Sequence, residues 1–198
     1  MRKQHFKCMF ETIAPYLSLS LVAIFPDITP SDSCISVAGS DTTASTIRAT
    51  LLHVITAPRI EAKLLDEIRH ASASSPITQA EAQNLPYLQA VIKEGLRIFP
   101  PVGSLMTKTA PPGGDVWKGV AIPDGTHVGV SVWGMYRRKD LWGEDSDVFR
   151  PERWLETHEE KLKEMELVIL QIFGSGKWTC LGREIALIET GKAIFEVS

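Results

Sequence analysis

Cysteine is scarce in this chain of 198 residues: Cys8, Cys34 and Cys180 form no C-x-x-C pair. That excludes a disulfide framework and a structural zinc site of the usual spacing, and it favours a reducing compartment. Charge of one sign is lacking too. Lys and Arg number 21 against 24 Asp and Glu, for a net charge of -3, so no basic field exists to hold nucleic acid, and none is expected as a partner. Repeats and low-complexity tracts are absent, which excludes solenoids and arrays. Long apolar runs are missing as well. The stretch from Ile13 to Phe25 follows a basic start and is broken by Pro15, falling short of the about 20 apolar residues that a membrane-spanning helix needs. No A-x-A-like cleavage site follows it, and Pro26-Asp27-Ile28-Thr29-Pro30 reads as a turn. Residues 1–29 stay unassigned, open to a packed segment or to one that targets the chain or touches a membrane.

What is present is globular composition, 44% hydrophobic and 23% charged, enough to bury a core in one domain or a large piece of one. Pro and Gly punctuation predicts a mainly α chain with small β elements. A first helix runs from about Ser31 to before Pro58, and a second from Pro58 to about His70 with Ile60, Leu64, Leu65 and Ile68 as its stripe. Thr78 and Glu81 have capping-box spacing, and Pro86 opens a helix with Leu88, Val91, Ile92 and Leu96 on one face, stopped by Pro100-Pro101. Between Val102 and Trp133 the signals turn to short strands, with Val128, Val130 and Val132 alternating. Arg137 to Glu156 has no period and reads as ordered coil, Glu159 to Ile172 as a short helix. After Cys180 a last helix carries Leu181, Ile185, Ile188 and Phe195 on one face.

Chemistry concentrates in Phe173-Gly174-Ser175-Gly176-Lys177-Trp178-Thr179-Cys180-Leu181-Gly182, a glycine-rich loop that delivers a cysteine to the start of that helix. Unpaired amides and the positive end of the helix dipole favour a thiolate there. Three readings are open: a buried free cysteine, a nucleophile, or a metal thiolate. A nucleophile wants a positioned histidine, and none of the five histidines lies in a partner motif. The glycines suggest backbone passing close to something flat and bulky.

The loop resembles the haem-binding signature of the cytochrome P-450 family, the haem-thiolate monooxygenases, F-x-x-G-x-R/H-x-C-x-G, matched at Phe173, Gly176, Cys180 and Gly182. Trp178 stands where Arg or His is usual, and an indole donates one hydrogen bond but supplies no cation. Fungal relatives that resemble pisatin demethylases carry an aromatic residue there. Three more elements follow in family order. Ala38-Gly39-Ser40-Asp41-Thr42-Thr43 matches A/G-G-x-D/E-T-T/S, Glu94-Gly95-Leu96-Arg97 matches E-x-x-R, and Pro151-Glu152-Arg153-Trp154 matches P-E-R-F/W.

The resemblance implies the C-terminal part of the cytochrome P-450 fold, truncated at both ends, with residues 30–198 a partial haem domain. It implies haem b (iron protoporphyrin IX) with Cys180 as the axial iron ligand, and Phe173, Gly176, Trp178, Gly182 and Lys108 around the porphyrin. Asp41 and Thr42 resemble the acid–alcohol pair that relays protons to bound oxygen; read from the residues alone, the same threonines could simply bond back to helix carbonyls. Glu94, Arg97 and Arg153 are implied to form a buried structural ion cluster. Val102 to Met106 corresponds to a segment facing substrate, or is an ordinary strand. The implied reaction, in fungal secondary metabolism, is insertion of one oxygen atom of O2 into a lipophilic substrate, with electrons from an NADPH-dependent reductase. For a full-length relative the implied place is the cytosolic face of the endoplasmic reticulum membrane. The rival reading is an inactive truncated remnant or interaction fragment without stable haem, and a cysteine hydrolase ranks third.

Overall fold

The computed structural model describes the backbone of residues 30–198 and side chains from Ala38 onward, Lys177 excepted. The unassigned segment 1–29, and with it Cys8, lies outside the described residues. Helix α1 spans Pro30–Ile55, α2 Pro58–His70, α3 Gln79–Gln83 and α4 Pro86–Ile98. These bounds agree closely with the Pro punctuation, because a proline at the first helical position has no amide to lose and its fixed φ suits a helix. Thr78 caps α3, accepting from the Glu81 amide while the Glu81 carboxylate accepts from the Thr78 amide.

The core forms where α1, α4 and α9 (Arg183–Val197) pack, through Ile47, Leu51 and Val54, through Leu88, Val91 and Ile92, and through Ile194. Glycine permits the close approach at one crossing: a Cβ on Gly95 of α4 would stand 2.0 Å from Thr50 Oγ1 of α1.

Among the described residues, four strands make two antiparallel ribbons. β1 (Met106–Thr109) pairs with β4 (His127–Val130), while β2 (Asp115–Trp117) and β3 (Val120–Ile122) form a hairpin. Three sequence expectations change here. Val128 and Val130 do alternate in β4, yet both are exposed because no layer among the described residues covers the ribbon; Val132 belongs instead to the one-turn helix α5 (Val132–Met135) and is buried. The stretch expected as coil holds two more one-turn helices, α6 (Lys139–Trp142) and α7 (Arg153–Glu156). They are too short to show a period. Finally, the apolar positions expected on one face of the last helix are only partly the ones it buries. Thr190, Gly191 and Ile194 are buried and Phe195 packs partly against the core, whereas Ile185 is 60% exposed and Leu181, which lies ahead of the N-cap Gly182, is 92% exposed. Helix α8 (Glu159–Ile169) and two 3-10 turns, Leu170–Phe173 and Gly176–Trp178, lead to that end of the chain.

Candidate functional site

Two constellations stand out, one sealed and one open. The sealed one is centred on Glu94, fully buried on α4. Its i, i+3 neighbour Arg97 grips it with two parallel bonds, Nε to Oε2 at 2.9 Å and Nη2 to Oε1 at 2.7 Å. Arg153 Nε adds 3.0 Å, the Arg150 amide 2.8 Å and Trp154 Nε1 2.9 Å, so all three residues of the sequence-derived cluster meet. Each guanidinium has five N–H donors, and each uses all of them. Arg97 also donates to the carbonyls of Tyr136, Ser146 and Val148. Arg153 also donates to the carbonyls of Trp142, Asp145 and Val148 and to Asp145 Oδ1.

One carboxylate against two guanidinium groups leaves an excess positive charge, and Asp145 supplies the second negative one. Burial pushes the Asp145 carboxyl up, but the hydrogen bond from Arg150 and the charge of Arg153 outweigh it and hold it below its ordinary range. Sequence spacing missed Asp145, since it lies in the aperiodic stretch. It missed the role of Glu152 as well, the second residue of P-E-R-W. Glu152 accepts from Arg59 and Lys63 of α2 and from the Tyr87 hydroxyl of α4. Burial alone would raise that carboxyl; the donated hydrogen bonds of Lys63 and Arg59 bring it down to about 2. Partners 93 and 89 positions away leave no local signal.

The open constellation is the cysteine loop. Gly174 at φ 73° and Gly176 at φ 59° turn the chain, and a Cβ on Gly174 would lie 2.5 Å from the Trp178 carbonyl oxygen. The Cys180 amide donates to the Phe173 carbonyl at 2.6 Å, closing the loop. Cys180 does not sit in the first turn of α9: Gly182 is the N-cap, so the cysteine stands two residues outside it, and its carbonyl accepts from the Arg183 amide at 3.4 Å. It is exposed, the free cysteine among the described side chains, which sets aside the buried-cysteine reading.

Trp178, Leu181 and Ile185 are exposed beside it, and a Cβ on Gly176 or Gly182 would meet no atom within 4 Å. A soft sulfur ligand, uncrowded glycines and bare apolar side chains fit a flat, largely apolar macrocycle carrying iron. Lys108 is exposed on β1, opposite Val128, with no ion pair among the described residues. On α1, Asp41 is exposed, and the half-buried Thr42 donates to the Ala38 carbonyl at 2.8 Å, as Thr46 and Thr50 donate to their own i−4 carbonyls. No hydrogen bond or ion pair among the described residues joins Asp41 or Thr42 to the cysteine loop.

The cytochrome P450 family model matches residues 31–197. The chain belongs to the cytochrome P450 family. It is 46% identical over 166 residues to cytochrome P450 monooxygenase ABA1 of Pyricularia oryzae, covering 81% of this chain and 32% of that one. Botryotinia fuckeliana aba1, also a cytochrome P450 monooxygenase, is 44% identical over 165 residues with the same coverage. Pisatin demethylase of Fusarium vanettenii is 41% identical over 160 residues, with 81% and 30% covered. The chain thus spans about a third of the length of the curated relatives it matches. Its mostly helical fold with small antiparallel ribbons is that of the family's C-terminal region.

Proposed function

We propose that these residues supply the thiolate and proton-handling portion of a haem-thiolate monooxygenase that inserts one oxygen atom of O2 into a lipophilic organic substrate. The observation that carries the proposal is Cys180, exposed on a loop locked by its own amide and bordered by bare apolar side chains. When bound, haem would supply the activation of dioxygen, with electrons delivered by an NADPH-dependent reductase.

The chain's own part divides three ways. Cys180 offers a sulfur ligand, and the loop that carries it is already closed by backbone bonds before anything binds. Leu181, Ile185 and Trp178 offer exposed apolar surface beside it that a bound macrocycle would cover. Thr42 donates its hydroxyl proton to the Ala38 carbonyl, which leaves the hydroxyl's lone pairs to accept a bond, and Asp41 next to it is a solvent-facing carboxylate. That pair can hold and pass a proton. Glu94, Arg97 and Arg153 take no part in proton transfer, because every polar hydrogen of the guanidinium groups is already donated. Trp178 replaces the customary cation with a single N–H donor, so grip on a propionate would be weaker there.

The test is the reduced, carbon monoxide-treated absorption spectrum after haem reconstitution. Haem is expected to bind the 198-residue chain weakly, and whatever thiolate-type band the parent chain gives should persist in the Cys8→Ser and Cys34→Ser variants and vanish in Cys180→Ser. A thiolate-type band that survives Cys180→Ser would overturn the ligand assignment. Absence of the band from the folded parent chain would instead favour a remnant without stable haem.

A further inference from the structure

Residues 99–105 carry the chain from α4 into β1, and no strand ladder holds them. Pro100 and Pro101 have no amide to donate, and β1 pairs with β4 from Met106 onward. Side chains take over where the ladder stops. The register that pairs Met106 with Val130, carried three residues further, sets Gly103 opposite Trp133 of α5. A Cβ on Gly103 would stand 2.3 Å from Trp133 Nε1, so glycine is what lets the backbone pass this close to the indole. Phe99 meets the same ring edge-on, with centroids 5.9 Å apart. One indole therefore fixes the segment at its start and at its middle.

Arg137 holds that indole in turn. Its guanidinium carbon lies 4.4 Å from the Trp133 ring centroid, and Nη2 donates to the Ile98 carbonyl at 2.9 Å. Ile98 is the last residue of α4, where carbonyls have no helical amide left to accept from, so Arg137 caps the helix from 39 positions away. Nε is 3.3 Å from Asp147 Oδ1. The arrangement carries a cost. Arg137 Nη1 is buried without a hydrogen-bond partner among the described residues. Burial pushes the guanidinium below its ordinary range, against the pull of Asp147 and with Arg97 adding like charge. A stranded donor is unfavourable for stability, which sets the value of this arginine in the stack and the carbonyl bond.

We propose that Trp133 and Arg137 are positioning residues that set the course of residues 99–105, and through it the wall that Val102 and Leu105 offer a lipophilic substrate. The clamp follows from the contacts alone. The wall rests on the function proposed above and on the resemblance that turns Val102 to Met106 toward substrate.

Two measurements test the two halves. The first is amide hydrogen exchange in the haem-free 198-residue chain, read at Phe99 and at Met106–Thr109, which flank the segment, with α2 as the internal reference. Trp133→Leu and Arg137→Met should each speed exchange at both flanks about tenfold and leave α2 unchanged. Gly103→Ala should do the same, and Trp133→Leu in that chain should add little, because both break one contact. Unchanged flanks, an equal rise in α2, or additive effects of the pair would overturn the clamp. The second is spectral titration of the chain in excess haem with imidazole and with 4-phenylimidazole, whose phenyl group reaches beyond the iron. Trp133→Leu should weaken 4-phenylimidazole about fivefold and imidazole not at all. Equal losses, or none, would overturn the wall. A chain that exchanges as expected but gives no thiolate-type band refutes the haem reading and the wall with it, while the clamp stands.

Discussion

Glu94 and Cys180, both in motifs of the same family, occupy opposite kinds of surroundings. Around Glu94 every acceptor is filled, every guanidinium proton is donated, and Asp145 closes the charge balance within the chain. Around Cys180 the backbone is fixed, but the side chains face outward and Leu181 is almost wholly bare. The first constellation has its partners inside the chain and so contributes to folding. The second, on the function proposed above, would take haem as its partner. Buried charge tolerates no missing neighbour; an exposed thiol loses little by being removed.

The largest expected effect follows from that contrast. Glu94→Ala strands two guanidinium groups, and removing one partner of a buried ion pair costs about 3–5 kcal/mol. Cys180→Ser, at an exposed position, should change stability by less than about 0.5 kcal/mol. Urea unfolding of the two variants under one set of conditions measures both. Equal losses would erase the distinction between a sealed cluster and an open site.

Two glycines sharpen it at smaller magnitude. At the α1–α4 crossing, Gly95→Ala drives a methyl into Thr50 and should cost about 1–3 kcal/mol. Thr50→Ala in the same chain should recover part of that by removing Oγ1 and Cγ2. On the open stretch of α1, an added Cβ at Gly39 meets nothing within 4 Å, so Gly39→Ala should stabilise the helix by roughly 0.5–1 kcal/mol. Opposite signs are the expected result, again by urea unfolding; the same sign at both would refute the close approach at Gly95.

The same contrast explains what the sequence made legible. Helix bounds were readable because Pro58 and Pro86 act locally, and the Thr78–Glu81 cap because its partners lie three positions apart. Glu94, Arg97 and Arg153 were readable only as motifs; the i, i+3 pair suggests one contact, but nothing in the spacing brings Arg153 to it. Asp145 and the Glu152 clamp escaped because their partners come from distant elements. The burial of the last helix was not legible for a different reason. Periodicity finds every apolar position on a helix face, and here the apolar positions of α9 divide between a core, at Ile194, and a bare surface, at Ile185, while Leu181 falls ahead of the helix altogether. Burial depends on what lies opposite, which periodicity does not encode.

The smallest effects separate two carboxylates that titrate alike. Glu152 and Glu81 are each brought from 4.5 down to about 2, Glu152 against its burial by Lys63 and Arg59, Glu81 by the hydroxyls of Thr78 and Ser74 and by their amides. A depressed folded-state value means that each contributes stability in full above about pH 4.5, lost as pH falls toward 2. Glu152→Gln and Glu81→Gln should therefore both flatten the loss of stability over that window, read as the urea midpoint at successive pH values. The flattening should be larger for Glu152, whose carboxylate is buried and bridges α2 to α4. For Glu81, whose partners lie at the surface, water and added salt screen the charge. Raising the salt should shrink the Glu81 effect further while leaving most of the Glu152 effect in place. An effect of Glu81→Gln equal to that of Glu152→Gln, and equally insensitive to salt, would show that burial does not set the difference between them.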